Sequence, residues 1–318
     1  MFLESFKTTG IAVGQIFILG AIGYILARRK FLGEEGLQAL ARLVMDVTLP
    51  VMIFCQLIRD FRFALYPEWW VFPLLSFAIT ALALGVGVLF TPAFKDRQHK
   101  LQFLNLVGFQ NSGYLPLALV AALLPADKIG TMFIYLFLFL LGFNMAMFSL
   151  GVHMLAFRKD KKFRASSLLS PPVVAIIITL IIIFFGLGKF IPSVILKPLG
   201  IFGDCTLPLA MLVVGGNLAE LKPAHIDKKA IFLMALAKLV ILPLLGIALL
   251  AKFKVPQLLG LLIIMQLSMP PATTLSIIVR NYKKEDFLIS QGIFFGHIVS
   301  VITIPVFLSL YFALGMLK

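Results

Sequence analysis

Charge is scarce in this sequence. Only 13% of its 318 residues are Asp, Glu, Lys or Arg, where a soluble globular chain carries about 25%. Acidic residues are the rarer sign, 14 against 28 Lys and Arg, and 61% of the chain is hydrophobic. A soluble protein of this length would need a polar surface that this composition does not supply, whereas hydrocarbon asks for none. Cysteine is nearly absent as well. Cys55 and Cys205 stand in apolar segments without metal-ligand spacing, which reads as two buried small residues rather than a disulfide or a metal site. Also missing are a His-Glu-x-x-His helix, an Asp-Asp-x-x-Asp pair, a Gly-x-Ser-x-Gly turn and any nucleotide-binding loop. Those absences argue against a membrane-embedded enzyme and against a pump driven by its own ATP. Met1–Gly10 lacks the basic start of a secretory signal, so Gly10–Ala27 reads as a retained first span.

What the chain has in abundance is long apolar runs. About 20 apolar residues cross a bilayer, and ten runs meet or approach that length, at roughly 10–27, 46–60, 69–91, 101–124, 130–157, 168–188, 199–221, 228–251, 257–280 and 287–315. The second is short as it starts at Asp46, and it can extend back through Leu37–Val44. The net charge of +14 is confined to the short loops between runs, so it points to membrane orientation rather than to nucleic acid as a partner. With the N-terminus outside, 18 Lys and Arg fall on the inner side and 9 on the outer, leaving Lys238 inside a span. That bias predicts both termini outside, in a chain whose partner is the lipid bilayer of the cell membrane.

The densest basic run, Arg158–Arg164, divides the spans five and five. Around it the sequence repeats. Asp46-Val-Thr-Leu-Pro50 matches Asp204-Cys-Thr-Leu-Pro208 at an offset of 158, Gln110-Asn-Ser112 matches Gln266-Leu-Ser268 at 156, and Gly142 matches Gly296 at 154. A unit of five spans is odd, so its two copies lie in opposite orientations, the pattern of secondary transporters. The expected fold is an all-α membrane protein. Its ten transmembrane helices form a 5+5 inverted repeat, about 1–157 and 165–318, joined by a cytoplasmic link at 158–164 within one transporter domain.

The fourth and ninth runs carry the chemistry. One reads Gln110-Asn-Ser-Gly-Tyr-Leu-Pro116 and the other Gln266-Leu-Ser-Met-Pro-Pro-Ala-Thr-Thr274. Proline near the middle of an apolar run breaks or kinks the helix, and freed backbone groups at membrane depth need protein or a wet cavity against them. A broken helix also exposes a half-helix N-terminus, which favours an anion. Half-helices after Pro116 and Pro271 would approach the midplane from opposite sides, with Asn111, Ser112, Ser268 and Thr273 as hydrogen-bonding partners for a carboxylate. A plain proline kink is the competing explanation for either run taken singly.

The Asn111-Ser-Gly113-Tyr-Leu-Pro116 run, the Met269-Pro270-Pro271-Ala-Thr273 run and the two Asp-x-Thr-Leu-Pro openings resemble those of the auxin efflux carrier family. That family includes the plant PIN auxin exporters and bacterial permeases for dicarboxylates such as malate and malonate. The resemblance implies crossed broken helices at the fourth and ninth positions, a scaffold half moving against a transport half, and a homodimer through the scaffold half. It also implies that Asn111 and Pro116 help to hold a substrate carboxylate. Only a short basic link follows the fifth span, which favours a permease of the bacterial inner membrane over an auxin exporter.

Groups able to couple transport to an ion or to compensate charge are few. Lys238 lies about ten residues inside the eighth run, roughly 15 Å from its start, where it snorkels to a wet edge or is buried, either neutralising a carboxylate or standing where a coupling cation would sit. His297, deep in the tenth run, is either a satisfied core histidine or a proton carrier. Asp46 and Asp204 begin their runs and can cap them, with Asp46 also open to proton coupling. Gly215-Gly216-Asn217 reads as a close-packing site. No cofactor is expected, and the coupling ion, H+ or Na+, is left open. The function expected is a secondary transporter of a small organic anion, a mono- or dicarboxylate, with a membrane-embedded enzyme or a channel as the alternatives.

Overall fold

The computed structural model describes residues 2–156, 168–221, 226–281 and 287–315. Among them there is no β-strand, only one isolated antiparallel bridge, and everything else of regular structure is helical. Seven helical stretches are long and apolar enough to cross a bilayer: Phe2–Arg28, Glu34–Asp60, Val71–Ala93, Ala126–Leu155, Ser193–Glu220, Lys228–Lys252 and Leu288–Ala313. Shorter apolar helices cover Tyr114–Leu123, Pro171–Phe184 and Gln257–Ser268. The chain is therefore a multi-pass, all-helical membrane protein.

Several stretches are built from more than one helical piece. After α1 (Phe2–Arg28), the second consists of α2 (Glu34–Arg42), a π-helical turn at Leu43–Thr48 and α3 (Leu49–Asp60). The backward extension through Leu37–Val44 is present, and it moves Asp46 off the helix start: Asp46 lies in the π turn, mid-helix, and caps nothing. Next come α4 (Val71–Phe90), α5 (Arg97–Gly108), α6 (Tyr114–Leu123), α7 (Ala126–Ala146), a second π turn at Met147–Gly151 and α8 (Val152–Ala156). They are followed by α9 (Pro171–Phe184), α10 (Ser193–Asp204) and α11 (Thr206–Glu220). The stretch that holds the seventh apolar run starts at Ser193, so Asp204 closes α10 in its middle and is no N-cap either. Cys205, at the same turn, is exposed rather than buried, whereas Cys55 is buried. The remainder is α12 (Lys228–Ala235), a third π turn at Leu236–Ile241, α13 (Leu242–Lys252), α14 (Gln257–Ser268), α15 (Thr274–Asn281) and α16 (Phe287–Ala313). The basic link 158–164, with Lys222, Lys283, Lys284 and Lys318, lies outside the described residues.

Two of the three π turns, Leu43–Thr48 and Leu236–Ile241, have a local cause. Pro50 and Pro243 lack the N–H that Asp46 and Leu239 would receive four residues earlier, and each sits just beyond a π turn, as the second residue of α3 and of α13. The extra residue restarts the helix so that proline occupies a first-turn position, where its missing donor costs least. Helix capping falls to other aspartates. Asp96 accepts the His99 backbone N–H at 2.9 Å and opens α5, while Asp227 accepts that of Ala230 at 2.9 Å and opens α12. The bonds from His99, backbone first, hold the exposed Asp96 carboxyl below its usual range.

Between lipid-solvated helices there is little hydrophobic drive, so close van der Waals contact decides which helices pair. A Cβ on Gly215 would fall onto the Gly20 carbonyl oxygen, and one on Gly23 onto the Leu212 backbone, so α1 and α11 cross with their backbones touching. The same α1 also packs against α16 and α6, while α3 lies against α9 and α10. Elsewhere α4 packs on α7 and α5, and α16 on α14 and α12.

Candidate functional site

The fourth and ninth runs are each broken, and the two breaks meet. The first opens at Phe109–Gly113, between α5 and α6; the second at Met269–Thr273, between α14 and α15. The Asn111 N–H donates to the Pro270 carbonyl at 2.8 Å, and the Ala272 N–H donates to the Phe109 carbonyl at 3.0 Å. Between these bonds Gln110 and Pro271 face each other as the single antiparallel bridge. In such a pair neither central residue uses its N–H across the ladder, so proline fits at 271 without a missing bond. The backbone groups that two helix breaks would strand in hydrocarbon thus satisfy one another.

The first half-helix begins at Tyr114, ahead of Pro116 rather than after it. Pro116 is the third residue of α6, where no intrahelical donor is required. Its missing N–H leaves the Ser112 carbonyl, four residues back, free to accept from Gln266 Nε2 at 3.3 Å. Proline here stops α6 from growing upstream and releases a carbonyl to the other broken helix. In the second break Pro270 and Pro271 occupy the irregular segment itself, and α15 starts at Thr274.

The crossing is buried and polar. Gln110, Asn111, Ser112, Gln266, Ser268 and Thr273 are all at most 5% exposed. Several of their polar atoms have no partner within the protein: Gln110 Nε2, Asn111 Nδ2, Ser112 Oγ, Gln266 Oε1 and Ser268 Oγ. Unpartnered polar atoms at such depth are costly unless a ligand or water meets them. Gln110, Asn111, Ser112, Gly113 and Thr273 line a cavity of about 50 Å³, together with Asn144 and the first residues of both half-helices, Tyr114 and Thr274. At about 10–15 Å³ of such volume per water, that is room for a few waters. A larger cavity of about 550 Å³ shares Met45, Tyr114, Thr273 and Thr274 with it and is walled by Arg42, Asp46, Asn217 and Glu220. At the junction the Tyr114 hydroxyl donates to Met45 Sδ at 3.4 Å.

The three residues singled out for coupling go to three different places. Lys238 does not snorkel. It is fully buried in the third π turn, and its Nζ donates to Gln110 Oε1 at 3.3 Å. Asp46 is on the wall of the large cavity. His297 is buried but does not line the small cavity, and it is bonded through Nδ1 to the Ile293 carbonyl at 2.8 Å. It lines a separate apolar cavity between α1, α11 and α16. Sequence reasoning passed over Gln110 and Gln266 as site members although their matched positions marked them. Asn144 was also missed, and a lone amide inside an apolar run was its signal.

Comparison with known proteins converges on the same kind of molecule. Residues 9–308 match the family described as membrane transport protein. Over 215 residues, covering 64% of this chain and 67% of the relative, the sequence is 27% identical to an uncharacterized transporter from Methanocaldococcus jannaschii. With the family match running through nearly every helix and both broken segments, the chain belongs to the membrane transport protein family, that of the auxin efflux carriers.

Proposed function

We propose that this transporter is a secondary carrier of a small organic anion, a mono- or dicarboxylate, working by alternating access around the crossing of its broken helices. The observation that carries the reading is the convergence at one small cavity of two half-helix N-termini, α6 and α15, with unpartnered donors on Gln110 and Asn111. Free N–H groups and the positive ends of two helix dipoles favour a carboxylate. Asn111, Ser112, Gly113, Pro116, Ser268, Pro270, Pro271 and Thr273 form the site in this reading, with Asp46 on its approach.

The wider architecture follows the same reading. The seven long stretches and the three shorter or broken ones count as ten spans in two inverted fives, within one domain of the cell membrane. With both termini outside, the 550 Å³ cavity walled by Arg42 and Asp46 opens to the cytoplasm, and the Tyr114–Met45 contact closes its inner end. Alternation then moves α4–α8 and α12–α16 against a scaffold of α1–α3 and α9–α11, through which two copies pair. A membrane-embedded enzyme would need a reactive group at the crossing, and a channel a continuous pore; paired broken helices favour a carrier over both.

Proteoliposome uptake across a panel of mono- and dicarboxylates, each with and without proton and sodium gradients, tests the proposal. Saturable uptake of at least one carboxylate, left intact when the neutral amides of the panel are added, is the expected result. Uptake of no carboxylate, or flux that fails to saturate, would overturn it.

A further inference from the structure

Lys238 is a buried amine with no carboxylate partner among the described residues. Among the described residues no carboxylate comes within 4 Å of its Nζ, and the ion pairs present, Arg59–Asp60 and His99–Asp96, lie elsewhere. A charge at membrane depth is expensive, and such residues normally pair or serve a function. Among the described residues the Nζ makes a single polar contact, to Gln110 Oε1 at 3.3 Å. An ammonium has three donors and no acceptor, so it accommodates only the oxygen of an amide. That contact therefore decides which way round the Gln110 amide sits. The oxygen faces Lys238, and the NH2 branch is left unpartnered on a residue that lines the 50 Å³ cavity.

The matching glutamine of the second broken run provides the contrast. Gln266 has a carbonyl, Ser112 O, as its neighbour, so its Nε2 is consumed and its Oε1 is the atom left over. Two glutamines at matched positions thus leave opposite ends of their amides unpartnered, and Lys238 is the difference between them.

Resting on the reading of the crossing as an anion site, we propose that Lys238 is a positioning and specificity-determining residue. Through Gln110 it holds the amide donors toward the ligand and adds a positive charge behind them, so that the site selects a carboxylate over the uncharged amide of the same shape. The ammonium itself stays one residue removed from the ligand.

The experiment measures binding at pH 7 by purified protein in lipid nanodiscs. Acetate, lactate, malonate, succinate and benzoate are each compared with their neutral amides, for the parent protein and for Lys238→Met, Lys238→Arg and Gln110→Ala. Methionine has similar length and removes an unpaired buried charge, so Lys238→Met should fold; should it not, Gln110→Ala carries the same test. For at least one acid the parent is expected to prefer carboxylate over amide by about tenfold or more, the difference between charge-assisted and neutral hydrogen bonding. Lys238→Met and Gln110→Ala should bring that ratio close to one by weakening carboxylate binding, and Lys238→Arg should keep it. A merely structural role would weaken both ligands alike and leave the ratio intact, which would overturn the inference while the carrier reading stood. If the parent binds none of the five acids, the carrier reading fails and this inference falls with it.

Discussion

At the scale of single residues, backbone and side chain divide the work at the crossing. The Asn111 N–H is spent on the Pro270 carbonyl, whereas its side-chain Nδ2 has no partner. Asn111→Ala keeps the first and deletes only the second. Affinity for the transported carboxylate should fall about tenfold, while thermal stability changes by less than about 1 kcal/mol, because an unpartnered amide contributes no net bond to the fold. Titration and thermal melting of the purified variant check both halves, and unchanged affinity would remove Asn111 from the site. Asn111 and Ser112 were legible in the sequence because polar residues beside a proline stand out in an apolar run. The link from Lys238 to Gln110 was not, since 128 positions separate them and no local pattern encodes such a contact.

At the scale of elements, what matters is where helices stop and how closely they approach. Pro116→Ala supplies an N–H that competes with Gln266 for the Ser112 carbonyl. The helix α6 should then grow upstream by one residue and loosen the crossing. Hydrogen exchange at Asn111 and Ala272, whose amides bridge the two breaks, should rise measurably, and unchanged protection would refute this role for the proline. The α1–α11 contact makes a second case. Gly215→Ala puts a methyl group onto the Gly20 carbonyl, whereas Gly85 has open space around the same position. Gly215→Ala should cost about 1–3 kcal/mol, and Gly85→Ala should be neutral or mildly stabilising. Melting curves in one detergent separate the two. Apolar run length marked these helices but misjudged two starts. Glu34, Glu35 and Arg42 interrupt the apolar run through α2, although α2 belongs to the stretch Glu34–Asp60, and the displaced starts carried Asp46 and Asp204 away from the helix starts.

At the scale of the whole molecule, a carrier needs packed surfaces that slide. The helix α1 bridges the two regions, locked to α11 by glycine contact and resting on α16 through Thr9 Oγ1 and Ser309 Oγ, 2.7 Å apart. Hydroxyls that close place the two Cβ atoms within reach of a disulfide. A Thr9→Cys/Ser309→Cys variant, with Cys55 and Cys205 replaced, should lose uptake on oxidation and regain it on reduction. Full uptake by the oxidised protein would mean that α1 and α16 travel together, and the sliding surface would have to lie elsewhere.

By itself the sequence determined that the chain crosses a membrane many times, which segments do so, and that two of them break near prolines. These properties are local, set by hydropathy over some twenty residues and by the missing N–H of proline. Only the tertiary structure decided that the two breaks pair backbone to backbone, that π turns displace the helices before Pro50 and Pro243, and that a buried ammonium orients one glutamine while a carbonyl orients its counterpart. Those outcomes depend on which polar group of one segment meets which of another. In hydrocarbon each such group must find a partner within the protein, and the partner is chosen by packing rather than by sequence neighbours.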